Sequence, residues 1–266
     1  MNTISDAQIV AYVESNIGTF HEKRIAALEK LRLNDLLRRK NPYLFRSKNV
    51  TVASDLIQSQ LDSYLSSQEE TLFGGFVEGL AVYVAELVHG GQKSAATGID
   101  LEFAVGQVRC IVSVKSGPNW ANSSQKARMK ENFSAAARVI RQGNRTANVI
   151  AVNGCCYGRS AQPDQGGYFK YCGQEFWELI SGDSDFYQRI IEPLGHNAKE
   201  RDLDFSNKYG AVVNRLSSEF SYRFCKSDGS IDWPKLVAFS SEKEPAPNED
   251  RAEQHVLSSD DGPMVC

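Results

Sequence analysis

Asp100, Ser113 and Lys115 are the residues whose types and spacing point to chemistry. They lie in the segment GIDLEFAVGQVRCIVSVK, where the hydropathy pattern takes the period of two that marks strands. Gly106-Gln107 sits at its centre, and glycine at the first central position suits a two-residue type II′ turn. Such a turn pairs Val105 with Val108, Phe103 with Cys110, Leu101 with Val112, and Asp100 with Ser113. Directly opposed Cβ atoms stand about 4.5–5.5 Å apart, so a carboxylate and a hydroxyl become neighbours. The Lys115 ammonium follows on the same face, because side chains alternate along a strand. One face becomes Ile99, Leu101, Phe103, Cys110, Val112 and Val114; the other carries Asp100, Glu102, Ser113 and Lys115, with Ile111 as its apolar exception. A carboxylate in this setting can hold Mg2+ together with backbone carbonyls, phosphate oxygens and water. A lysine beside it can orient a water or neutralise charge on a phosphorane-like transition state. The set suits phosphodiester hydrolysis, although an exposed sheet face is polar in any case.

The elements around the hairpin follow from the periodicity. Residues 5–40 read as helical, with Ile9, Val10 and Val13 and then Ile25, Leu28, Leu31 and Leu36 at helical spacing, until Asn41-Pro42. Residues 50–66 carry a second amphipathic pattern. A third helix, about 69–88, is mostly apolar and keeps one polar stripe of Glu70, Glu78 and Glu86. Gly90-Gly91 stops it. After the hairpin, SGPNWANSS reads as a loop, followed by a helix from about Ser124 to Gln142 with Met129, Phe133, Ala136, Ala137 and Ile140 on one stripe. Residues 147–153 read as a buried strand, and helices are expected at 173–181, 184–191 and 198–226. The order gives a mixed α/β core with helical additions at both ends.

Composition bounds the partners. The chain has 266 residues, 41% hydrophobic and 24% charged, enough for a sizeable core. No apolar run approaches the ~18 residues that cross a bilayer, and the N-terminus carries no secretory pattern, so no membrane association is expected. The net charge of −3 is uneven: Ser241–Cys266 carries −5 and the preceding chain +2. Residues 21–48 hold nine Lys and Arg against three acids, and 109–145 hold eight against Glu131 alone. Two basic segments on a nearly neutral chain fit a polyanion-binding surface, or else two solvated helix faces. The six cysteines show no CxxC pair and no histidine at metal-ligand spacing, which argues against structural zinc and for a reducing, cytoplasmic setting.

Asp, a hairpin, then (D/E)-X-Lys is the PD-(D/E)XK nuclease pattern, present here as Ile99-Asp100 and Ser113-Val114-Lys115. The blocks GIDLEF, VSVKSGPNW, VNGCCYG, YCGQEFWELISG and EPLGHNAKER are more specific. Together they resemble a group of type II restriction endonucleases that cut double-stranded DNA at interrupted GG-N-CC-type sites. The likeness runs from about Lys40 to Phe239. It implies a PD-(D/E)XK core, a mixed β-sheet flanked by helices, with helical N- and C-terminal additions. It implies a homodimer, a Mg2+-dependent cut in each strand, a palindromic target, and a matching DNA methyltransferase in the host. On this reading residues 1–66 are a helical region for dimerisation or DNA clamping, 67–240 the nuclease core with its C-terminal addition, and 241–266 a disordered acidic tail. The pattern wants an acid where this chain has Ser113. Some members of the superfamily recruit a Glu from a nearby helix instead. Glu131, sixteen residues after Lys115, ranks slightly ahead of Glu78, and Glu102 lies on the side away from Lys115.

Bases are read by Arg, Lys, Asn and Gln. Asn119, Trp120 and Asn122 in the loop, then Gln125, Lys126, Arg128 and Lys130 on the helix, are the expected DNA-contacting residues, although both asparagines also suit turn chemistry and Trp120 a core anchor. His196, Lys199 and Arg201 form a second polar cluster without an assigned role, and the basic residues from Lys23 to Lys40 could clamp phosphates or pack at a dimer interface. Three alternatives stand beside this reading: a Cys-His hydrolase built on Cys155 or Cys156, a DNA-binding protein in which Ser113 marks a lost acid, and a structure-specific repair nuclease.

Overall fold

The computed structural model describes residues 3–195 and 198–243. Helix α1 (Asp6–Glu29) opens with a capping box, in which the Ser5 hydroxyl accepts from the Gln8 N–H and Gln8 Oε1 accepts from the Ser5 N–H. The helical run expected to Asn41 breaks after Glu29 and resumes as the short α2 (Leu33–Arg38). Asn41 caps α3 (Pro42–Ser47), with proline at the position where a missing N–H costs nothing. The two helices expected at 50–66 and 69–88 are one, α4 (Ala53–His89). The stretch Ser66-Ser67-Gln68-Glu69 interrupts the apolar pattern but contains no helix breaker.

Helix α4 corrects another expectation, since by length and composition it is apolar enough to cross a membrane. Part of its apolar surface packs against the sheet. Leu80, Ala81, Val84 and Ala85 are fully buried in the main core, together with Leu101, Cys110 and Val112 from the sheet.

The sheet runs β1 (Gln92–Lys93), β2 (Leu101–Val105), β3 (Val108–Lys115), β4 (Asn148–Cys155) and β5 (Phe169–Cys172), in that spatial order. The pairs β1–β2 and β2–β3 are antiparallel; β3–β4 and β4–β5 are parallel. The hairpin register is the expected one, with Val105 opposite Val108, Phe103 opposite Cys110 and Leu101 opposite Val112. Gly106 supplies the positive φ of +60° that the turn needs. The face expected to be open is covered. Helix α5 (Ser123–Gly143) sets Met129, Phe133 and Ala136 against Ile111, which explains the apolar exception. Ile99 packs in this second cluster and not with Leu101, because regular pairing starts only at Leu101, after a turn at Gly98. Strand β5 was not expected, and the helix expected at 184–191 is two short ones, α7 (Phe186–Arg189) and α8 (Ile191–Gly195), after α6 (Gln174–Ser181).

Two compact units divide the chain. One comprises the residues up to Leu31 together with Leu61–Asn214, and holds the sheet. The other comprises Arg32–Gln60 and the chain from Arg215 onward, and is helical, with α2, α3, the end of α9 (Ala198–Phe224) and α10 (Trp233–Ser241). Its buried side chains include Leu33, Leu36, Phe45, Phe220 and Leu236. The acidic tail from Glu244 lies outside the described residues, as do His196 and the side chains of Lys199 and Arg201.

Tight packing beneath the site gives one stability prediction. A Cβ added at Gly154 on β4 would stand 2.2 Å from the Phe176 ring of α6. Gly154→Ala should therefore destabilise the protein by about 1–3 kcal/mol, the usual cost of overpacking, measurable as a lower denaturant midpoint with an unchanged slope.

Candidate active site

The hairpin delivers Asp100, Ser113 and Lys115 to one place. The Val114 N–H donates to Asp100 Oδ2 at 2.7 Å, and the Ser113 hydroxyl donates to the same oxygen at 3.3 Å. The Lys115 ammonium lies 3.6 Å from that oxygen and donates to the Val114 carbonyl at 2.8 Å. The Asp100 N–H in turn donates to the Val112 carbonyl at 2.9 Å, which extends the β2–β3 pairing past Leu101. Ser113 is buried, whereas Asp100 and Lys115 are partly open to solvent. A charged pair that stays accessible while its carboxylate is fixed by the backbone can meet a substrate without rearranging.

Glu78 reaches this site from α4. Its carboxyl is raised above the usual carboxylate range, first by burial and then by the negative charge of Asp100; Lys93 and Lys115 pull the other way. The Lys93 ammonium is 3.9 Å away. The polar stripe on α4 thus includes a carboxylate that shares the electrostatic environment of Asp100 and Lys115. Glu131 is exposed on α5, with no hydrogen bond or ion pair to Asp100 or Lys115. Glu102 is engaged elsewhere. Burial pushes it up, but the Ser94 hydroxyl and the Arg109 guanidinium, 2.9 Å away, outweigh burial and hold it below its ordinary value.

The loop and helix after Lys115 divide by role. Asn122 is the N-cap of α5: its Oδ1 accepts from the Gln125 N–H at 3.0 Å, and Gln125 Oε1 accepts from the Asn122 N–H at 2.9 Å. Both side chains therefore do capping work. Asn119, Lys126 and Arg128 are exposed. Lys130 is exposed too, and donates to the Gln165 carbonyl at 3.2 Å. Trp120 is half-buried, and its indole N–H donates to Asn153 Oδ1 at 3.1 Å. In the N-terminal basic segment, Arg24 is drawn into the first unit by Glu69 and lies over the Phe205 ring.

Asn153 was not foreseen as part of the site. A polar residue at the end of a predicted apolar strand was its only signal. It is buried opposite Ser113 in the parallel β3–β4 register, and its Nδ2 donates to the Ser113 carbonyl at 3.3 Å.

The cysteines do not form a nucleophilic site. Burial, with Cys172 beside it, pushes the Cys155 thiol up to about 12, and burial raises Cys156 as well. Burial holds His89 below its ordinary value, with its ring stacked on Phe103 at 4.9 Å. Among the described residues neither thiol has a histidine partner.

A mixed α/β fold that sets a carboxylate, a hydroxyl and an ammonium together at the mouth of a hairpin is suited to a nuclease. The family model of type II restriction endonuclease EcoO109I matches residues 7–202. The match covers well over half of the chain, and the chain belongs to this family: it is a type II site-specific deoxyribonuclease, with DNA as its substrate. The matched range begins ahead of Lys40 and ends before Phe239, the bounds read from the sequence blocks. No curated protein sequence matches the chain.

Proposed function

We propose that this enzyme cuts both strands of double-stranded DNA at a short palindromic site containing an interrupted GG-N-CC sequence, as a Mg2+-dependent homodimer with a PD-(D/E)XK core. The observation that carries the reading is the convergence of Asp100, Ser113 and Lys115 at one end of the hairpin, with Glu78 on α4 close enough to feel the charges of Asp100 and Lys115. A cytoplasmic setting and a protecting methyltransferase in the host belong to the same proposal.

The donor set fits Mg2+. Glu78 and Asp100 are hard oxygen ligands, and the negative charge of Asp100 raises the cost of ionising Glu78. Their repulsion is what a divalent cation relieves. Among the described residues no three of Asp, Glu, His and Cys form a complete cage, so phosphate and water would supply the remaining ligands. Glu78 and Asp100 would hold the Mg2+, which would supply Lewis-acid chemistry at the scissile phosphate. The chain does the rest. Asp100 is held in one orientation by the Val114 N–H. Lys115 positions the attacking water and offsets charge as the 3′ oxygen is displaced in line. We place Glu78, ahead of Glu131, in the role of the acid missing at Ser113, on the strength of its coupling to Asp100.

Incubation with phage lambda DNA tests the proposal. Discrete bands in Mg2+ and none in EDTA are expected, and mapping their ends identifies the site. A smear, or cutting confined to branched DNA, would defeat the palindromic reading.

A further inference from the structure

We infer that Asn153 and Trp120 are positioning residues for Lys115, with Asn153 fixing the indole and the indole ring supporting the ammonium. The inference rests on the reading of Lys115 as the ammonium of the active site.

Asn153 is one of the few fully buried polar side chains among the described residues, and a buried amide is costly unless its groups are bonded. Both are. Its Nδ2 faces the Ser113 carbonyl, which can only accept, and its Oδ1 faces the Trp120 indole N–H, which can only donate. The orientation of the amide is therefore dictated by its partners. An aspartate would set an oxygen against the Ser113 carbonyl, and a leucine would leave the indole N–H unbonded. The Cys155 thiol, 3.9 Å away, points to the same oxygen.

The consequence reaches Lys115 from two sides. Through Ser113 the amide ties β4 to the strand position two residues before Lys115. Through Trp120 it ties β4 to the loop that follows. The ring centroid stands 5.4 Å from Lys115 Nζ, within range of a cation–π contact. The same loop is held a second time by Lys170 on β5, which donates to the Pro118 carbonyl at 2.9 Å. The ammonium is thereby confined among a carboxylate, a carbonyl and an aromatic ring.

Steady-state cleavage of a plasmid carrying one site mapped from the lambda digest decides the matter. Trp120→Leu and Asn153→Ala should lower kcat by about ten- to thirtyfold, with KM within about twofold of the native value. Trp120→Phe keeps a ring beneath the ammonium and should recover most of the loss, staying within about fivefold. A rise in KM with kcat unchanged, or Phe and Leu variants equally impaired, would overturn the inference. Should Asn153→Ala fail to fold, the two Trp120 variants still decide it. Lys115→Ala is run alongside. If it cuts at the native rate, the active-site reading itself fails; if it is inert while Trp120→Leu is fully active, only the positioning role is lost.

Discussion

Lys115→Ala is expected to cut DNA at least about a thousandfold more slowly than the native enzyme, the scale on which removing a pre-positioned charge from a transition state acts. The ammonium stands 3.6 Å from Asp100 and 2.8 Å from the Val114 carbonyl, on a side chain that is partly open to solvent. Its loss therefore removes charge from the reacting centre and little packing. Asp100 needs a gentler substitution. An alanine there would leave the buried Val114 N–H without its 2.7 Å acceptor, which costs about 1–3 kcal/mol on its own. Asp100→Asn retains an acceptor oxygen while removing the charge, and it should be as inert as Lys115→Ala. Both variants should bind the mapped site within about fivefold of the native affinity in a mobility-shift assay without Mg2+, because phosphate contacts made elsewhere supply most of the binding. Native-like cutting by either would remove that residue from the mechanism. Loss of binding in step with loss of cutting would mean a damaged fold, not a missing catalytic group.

The parts of this site that were legible in the sequence are the local ones. The two-residue turn at Gly106-Gln107 sets the hairpin register, and with it the meeting of Asp100 and Ser113, so alternation and turn chemistry were enough. Ile111 marked the limit. An apolar residue on a polar face announces a cover, but the cover is α5, and a helix that begins twelve residues later leaves no trace in the period of the strand. The same limit hid Asn153. Its strand was recognised from apolar content, yet its value depends on Trp120, 33 residues away, and on a parallel partner strand. Strand β5, four residues of mixed polarity, is too short for periodicity to reveal. The fusion of two expected helices into α4 has a related cause. A change in which face is apolar looks like a boundary in sequence, while the backbone simply continues.

Glu78 shows how electrostatics bears on two candidates of which spacing put Glu131 slightly ahead. Because the folded protein holds the Glu78 proton more tightly than the unfolded chain, ionised Glu78 costs stability. That cost is absent below the ordinary carboxylate range and grows as the pH rises through the raised pKa. Replacing the carboxylate with a neutral amide removes the cost. Glu78→Gln should therefore melt above the native enzyme in EDTA at pH 8, with the gap closing as the pH falls into the ordinary carboxylate range. The same variant should cut on the order of a thousandfold more slowly in Mg2+. Stability gained and activity lost through one substitution is the signature of a group kept in an unfavourable setting for its chemistry. Glu131 makes the opposite case. It is exposed on α5, so Glu131→Gln should leave the melting temperature essentially unchanged and the cleavage rate within about twofold of native. Thermal melts in EDTA and single-turnover cleavage in Mg2+ measure both halves. If Glu131→Gln is the inert variant and Glu78→Gln cuts normally, the second carboxylate comes from α5. The raised pKa of Glu78 would then reflect only burial beside Asp100.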